Sequence, residues 1–168
     1  MGGSAFFLGC QSMAVQMLLM RELLAAFSGN ELTIGVAFGI WFGAIALGAL
    51  AGRGAARCAS SPALRVIVAA VLLILALLPP LMLAGLIQAR AVMGVAAYET
   101  LPFGRWVRLL VLLLGPYGLG QGVVFPALCR LASEGRRQGV GRIVSLESLG
   151  CLLGGLGFGA AVLAGMRP

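Results

Sequence analysis

The side chains that could carry out chemistry in this 168-residue chain are few and of few kinds. The sequence has no His, Asp or Lys, so its charged residues are 12 Arg and 5 Glu. The lack of imidazole excludes a His-ligated haem, a His-containing zinc site and a Ser-His-Asp triad. The four cysteines (Cys10, Cys58, Cys129 and Cys151) lie far apart without a Cys-x-x-Cys pair, which favours inert apolar roles over metal or redox roles. We therefore predict a chain that is not an enzyme and holds no metal or cofactor.

Polar side chains inside apolar segments are the stronger candidates for a functional site. Gln16, Arg21 and Glu22 interrupt the first apolar segment, and Glu31 stands at the start of the second. Charges within a bilayer cost several kcal/mol and often mark function. Because adjacent residues on a helix do not face each other, Arg21 and Glu22 are each expected to need a partner elsewhere or access to water. Two interpretations stay open: a functional polar cluster, or a structural one in which Arg21 extends to the interface and Glu22 or Glu31 pairs with an arginine of a neighbouring helix.

The elements that position these side chains follow from the composition. The chain is 61% hydrophobic and only 10% charged, with a mean hydropathy of +1.06, whereas soluble domains carry about 25% charged residues. A bilayer core about 30 Å thick is crossed by about 20 apolar helical residues. Five stretches meet this requirement, which predicts an all-α, polytopic bundle of five transmembrane helices forming one domain over residues 1–168. The predicted helices cover about residues 5–27, 32–52, 66–89, 109–129 and 148–166.

The distribution of arginines predicts the orientation of this bundle. The N-terminus and the loops near residues 53–65 and 130–142 together carry seven arginines. The opposite side carries four, namely Arg90, Arg105, Arg108 and Arg167. The positive-inside rule therefore places the N-terminus in the cytoplasm and the C-terminus outside. Glu147 then falls at the cytoplasmic start of the fifth helix, where a carboxylate suits the helix dipole.

Small residues recur at helical spacing in two of the predicted helices. Gly35, Gly39 and Gly43 are four residues apart in the second helix, where Gly48 and Gly52 repeat the spacing, as do Gly150 and Gly154 in the fifth. Small residues at i and i+4 let the backbones of membrane helices approach closely. The stripes predict either ordinary packing within the bundle or an interface with partner helices.

The fourth helix contains a second unusual pattern. Gly115 and Pro116 lie in its middle, within a glycine-rich run, and Pro126 follows. Proline lacks a backbone donor and clashes with the preceding turn, so we expect this helix to be kinked or broken. Discontinuous helices line the substrate sites of many transporters, but passive kinks occur as well. A second kink is expected at Pro79-Pro80, where the sequence offers no polar neighbour.

Short motifs along the chain resemble a known family. The stretch from Gln16 to Leu24, Gly29-Asn-Glu-Leu, Trp41 and Gly48-Ala-Leu-Ala-Gly-Arg53 resemble the first two helices of the spermidine synthase-like integral membrane proteins of bacteria. Phe125-Pro126, Arg142, the run Leu146-Glu-Ser-Leu-Gly150 and Gly154-Gly155 resemble the fifth helix of that family and the segment before it. Residues 48–57 also resemble a degraded form of the loop between helices two and three of the major facilitator superfamily, with Gly52 in place of its acidic residue.

The resemblance implies the membrane half of such a protein, ending one helix short and without the catalytic aminopropyltransferase domain. On this basis we expect a non-catalytic subunit or anchor in the bacterial cytoplasmic membrane, packed against other membrane chains. One alternative is half of a small-solute or polyamine transporter, with Gln16, Arg21, Glu22 and the broken fourth helix lining the path. A further alternative is an accessory subunit of a membrane electron-transfer complex.

Overall fold

The computed structural model describes residues 2–26, 31–92, 102–134 and 139–165. These residues form five α-helices and, within the described ranges, no strand. All five helices are long and apolar enough to cross a membrane, which confirms the all-α fold of five candidate spans. The helices are α1 (Gly2–Ala26), α2 (Glu31–Cys58), α3 (Ser61–Val92), α4 (Phe103–Ser133) and α5 (Gly139–Leu163).

The helices are longer than the apolar stretches in the sequence. The 32 residues of α3, at about 1.5 Å each, reach beyond a hydrocarbon core of about 30 Å. The extra turns carry polar residues, and α2 continues through Arg53 and Arg57. Arginine is a good helix former, so a helix need not end where its apolar stretch ends.

The outer surface of the bundle is apolar. Large side chains such as Leu81, Leu112 and Leu163 are strongly exposed, and only 6% of the apolar window of α5 is buried. An exposed apolar surface of this extent is unfavourable in water and favourable in lipid. The chain therefore has the features of a multi-pass membrane protein in contact with the bilayer.

Two parallel helix pairs, α1 with α5 and α2 with α4, form the centre of the fold. In the first pair Gly154 lies on the backbone of Cys10, one helix turn beyond the point where Gly150 lies on Phe6. In the second pair Gly122 lies on the backbone between Ile45 and Ala49. Close approach without intervening side chains is the usual way in which membrane helices associate.

Helix α4 is the most buried element, and α3 packs against it and against α1. Its fully buried side chains include Leu110, Leu114 and Leu128. The Tyr117 ring packs on Trp41 of α2, with 5.3 Å between ring centroids. The core of the bundle therefore lies around the middle of α4.

The expected break in α4 at Gly115, Pro116 and Pro126 does not occur. The helix runs without interruption from Phe103 to Ser133, with both prolines inside it. A membrane helix can continue through prolines, because neighbouring groups can compensate for the lost backbone bonds. Pro79 and Pro80 likewise lie inside the continuous helix α3.

Polar contacts join the connections at one end of the bundle. Arg130 Nη1 donates a hydrogen bond of 2.9 Å to the carbonyl oxygen of Ala59, and the Ser61 hydroxyl donates to the Glu134 carboxylate. The described arginines at the end where α1 begins are Arg53, Arg57, Arg65, Arg130 and Arg142, and those towards the other end are Arg21, Arg105 and Arg108. Arg136, Arg137, Arg167 and the side chain of Arg90 lie outside the described residues.

Candidate functional site

Of the polar residues predicted to cluster on α1 and α2, Arg21 and Glu22 are joined by a contact in the structure. Arg21 and Glu22 lie near the end of α1, and Glu31 is the exposed first residue of α2. Arg21 Nε lies 3.9 Å from Glu22 Oε1, a contact that the expectation for adjacent residues of a helix did not include. The long arginine side chain reaches its sequence neighbour at the exposed end of the helix. Gln16 is half-buried more than a turn away, and no described contact joins it to this pair.

A cavity of about 220 Å³ lies instead between the two glycine-packed helix pairs, partly open to the outside. All four helices of these pairs contribute to its wall. The lining residues are Leu8, Ser12, Ile45, Ala49, Gln121, Gly122, Phe125 and Glu147. Three of these side chains are polar, so the cavity concentrates polarity within an otherwise apolar bundle.

Glu147 is the charged residue of the cavity wall. It is the ninth residue of α5, about 12 Å along the helix from Gly139, so its predicted place at the helix start is wrong. The apolar stretch in the sequence begins at residue 148, but the helix itself begins earlier. The carboxylate is half-buried, and among the described residues no arginine lies within ion-pair distance of it.

Gln121 is the most unusual polar side chain of the site. It is 6% exposed, and neither its amide oxygen nor its amide nitrogen has a hydrogen-bond partner within the described part of the chain. Tyr117, one turn earlier, is fully buried. Its hydroxyl is close enough to interact with the side chains of Gln11 and Gln121, but it forms no regular hydrogen bond with Gln121. A buried amide without partners is costly in a low-dielectric interior and calls for a ligand or water.

Gln11 has a structural function that involves the prolines of α3. Pro79 has no N–H, so the carbonyl oxygen of Leu75, four residues earlier, loses its regular helical donor. The Gln11 amide nitrogen on α1 donates a hydrogen bond to that oxygen. The expectation that the proline pair lacks a polar neighbour is therefore corrected, because Gln11 is brought to it from another helix.

Pro126 has the corresponding effect at the cavity. It removes the regular donor to the carbonyl oxygen of Gly122, and Gly122 itself lines the cavity. The helix is not broken there, but one backbone acceptor beside Gln121 lacks its intrahelical bond. The site thus gathers residues with a carboxylate, an amide and a hydroxyl (Glu147, Gln121 and Ser12) and Gly122 around one small space.

The predicted glycine stripes fall into two groups. Gly150 and Gly154 lie against the backbone of α1. A side chain added at Gly35, Gly39 or Gly43 would meet nothing within 4 Å, so this stripe is on the outer face of α2. The close packing of α2 against α4 uses Gly48 and Gly52 instead.

Sequence reasoning missed Gln11, Ser12, Tyr117 and Gln121. A signal was present, because Tyr117 and Gln121 are separated by four residues and therefore share one face of an apolar helix. Comparison of the chain with protein-family models, curated proteins and solved structures finds no match. The chemistry of the site is therefore inferred from its own residues.

Proposed function

We propose that this chain is a non-catalytic integral membrane subunit or anchor that packs against another membrane chain through the outer face of α2. The observation that carries this proposal is the open stripe of Gly35, Gly39 and Gly43, which no described residue covers. Phe38 and Phe42 stack beside it, with 5.8 Å between ring centroids, and Phe42 is exposed. A ridge of aromatic rings next to a groove of glycines offers the close, shape-dependent contact by which membrane helices associate. The resemblance to the membrane half of spermidine synthase-like proteins supports the same role.

Gly39→Leu is expected to release the partner chain while leaving the bundle folded. The leucine fills the outer groove but meets no atom of its own chain within 4 Å of the added Cβ. The measurement is purification in a mild detergent followed by mass spectrometry of the chains that remain bound in stoichiometric amounts.

Two control variants make this test specific. Gly104→Leu adds the same side chain at another open position, on α4, and Glu22→Gln removes a charge away from the stripe. Both are expected to retain the partner. Recovery of the wild-type chain alone or only as a homo-oligomer would contradict the subunit proposal, as would full retention by Gly39→Leu. Companion chains that carry cofactors would favour the electron-transfer alternative.

We also propose that the chain lies in the bacterial cytoplasmic membrane with its N-terminus in the cytoplasm, on the basis of the arginine-rich end of the bundle. Cys58 provides a native probe, since it is exposed at the end of α2, whereas Cys10, Cys129 and Cys151 are half-buried within helices. A membrane-impermeant maleimide should label Cys58 in inverted vesicles and leave it unlabelled in intact spheroplasts, with Cys58→Ala as the control. Labelling in intact spheroplasts would reverse the proposed orientation.

The alternative function, half of a small-solute transporter, draws its support from the cavity and not from the path first expected. Glu147 and Gln121 line a polar space between helix pairs, whereas Arg21 and Glu22 pair with each other near a helix end. Uptake by proteoliposomes should therefore be sensitive to Glu147→Gln and insensitive to Glu22→Gln. If Glu22→Gln abolished uptake and Glu147→Gln did not, the transport path would instead lie at the end of α1.

A further inference from the structure

We propose that the cavity between the two helix pairs is a binding site for a primary ammonium group carried by a small alkyl chain. This inference does not depend on the subunit role, because the cavity lies inside the bundle and the proposed partner surface lies on the outer face of α2.

The first observation is the pair of unpartnered amide atoms on Gln121. The residue is 6% exposed and lines the cavity, so a group bound in that space can satisfy the amide atoms that lack a regular hydrogen bond. Leaving a buried amide oxygen and nitrogen unpaired is unfavourable, because both groups have lost their hydrogen bonds to water without gaining others. A ligand that donates a hydrogen bond to the oxygen removes part of this cost on binding.

The second observation is the negative charge in the cavity wall. The Glu147 carboxylate lines the same cavity, and no described arginine lies within ion-pair distance of it. Burial of a carboxylate without a counter-charge is unfavourable, and a bound cation relieves it. An anionic ligand is disfavoured at this site because it would meet Glu147 with no arginine on the wall.

The third observation is the number of acceptors, which matches an ammonium group. A primary ammonium has three N–H donors and no acceptor, like the side chain of lysine. Three residues of the wall carry such acceptors, namely the Glu147 carboxylate, the Gln121 amide oxygen and the Ser12 hydroxyl. These groups come from α1, α4 and α5, so they surround a common space and do not lie along one helix.

The remaining wall sets the size and character of the rest of the ligand. Leu8, Ile45, Ala49 and Phe125 are apolar and favour an alkyl substituent over a second polar group. The cavity volume of about 220 Å³ is below the 300–1,000 Å³ or so of pockets for drug-sized molecules. A short alkylammonium therefore fits this space better than a bare metal ion, which would leave the apolar walls without contacts.

The ammonium group can come from a free solute or from the ethanolamine headgroup of a lipid, and the test separates these sources. The full-length chain in phosphatidylcholine nanodiscs is titrated with n-propylammonium and, separately, with the neutral n-propanol, at constant ionic strength. We expect n-propylammonium to bind at least about tenfold more tightly, since hydrogen bonds to charged groups contribute about 1.5–3 kcal/mol. Equal binding of the two probes, or binding of neither, would overturn the proposal without any substitution.

Variants then test the residues that carry the inference. Glu147→Gln and Gln121→Leu should each weaken n-propylammonium binding by about tenfold or more, while the control Glu22→Gln leaves it unchanged. If the Glu147→Gln protein elutes as the wild type does and binds n-propylammonium with unchanged affinity, the assignment of the cavity as an ammonium site is refuted. Adding phosphatidylethanolamine to the nanodiscs should lower the apparent affinity of the wild type if the headgroup occupies the site. An unchanged apparent affinity would assign the site to a free amine.

Discussion

Replacing Gly122 with alanine is expected to lower the free energy of unfolding by about 3 kcal/mol, at the upper end of the usual cost of overpacking. The added methyl group would lie against the carbonyl oxygen of Ile45 and 2.7 Å from the backbone nitrogen of Ala49. Both atoms belong to the backbone of α2, so no side-chain rotation can make room. The two helices must separate, and the contacts along their whole interface weaken.

The matched control for this substitution is Gly39→Ala. It adds the same methyl group where nothing lies within 4 Å, so the isolated chain should be unchanged or stabilised by up to about 1 kcal/mol through helix propensity. Both free energies can be measured by denaturant titration in mixed micelles, followed by circular dichroism. Equal effects of the two substitutions would contradict the close approach of α2 and α4.

Gln11→Leu is expected to cost about 2 kcal/mol of stability, since it leaves the Leu75 carbonyl oxygen without a donor in the interior of the bundle. Pro79→Ala supplies that donor from within α3, because alanine restores the regular N–H. In the Pro79→Ala background, Gln11→Leu should therefore cost at least about 1 kcal/mol less than it does in the wild type.

A double-mutant cycle in the same mixed micelles measures this coupling, and Gln16→Leu provides the comparison. Gln16 lies on the same helix and is half-buried, but no described hydrogen bond joins it to α3. Its substitution should cost little and should show no coupling to Pro79. If Gln11→Leu lowered the free energy of unfolding equally in both backgrounds, Gln11 would not compensate for the donor that Pro79 lacks.

The fold was predictable from the sequence because the signal for a membrane span is composition averaged over many residues. Helix ends were less predictable, as α5 shows, because hydropathy marks where lipid contact begins and not where the helix begins. The break expected at Pro116 failed for a related reason. Proline removes one backbone bond locally, and packing of the neighbouring helices decides whether the helix continues.

The site could not be predicted in the same way, because it depends on which helices lie next to each other and no local sequence pattern gives that information. Gly39 and Gly48 have equivalent sequence signals, but only Gly48 lies against α4, because the rotation of α2 in the bundle decides which stripe is used. Arg21 and Glu22 drew attention by their charge, although they lie near a helix end. The uncharged Gln121 carries the unsatisfied amide, and its burial is visible only once α1, α2 and α5 surround α4.

The parallel pairing of α1 with α5 has a consequence for the order of assembly during synthesis. The ribosome delivers α1 well before α5, and chains generally begin to fold from the N-terminus as they emerge. The face of α1 that contacts Gly150 and Gly154 must therefore persist without this neighbour until α5 has entered the bilayer. The α2–α4 pair can form earlier, since all its residues precede α5. Glu147 arrives with α5, so the polar cavity is completed only once α5 has joined α1, α2 and α4.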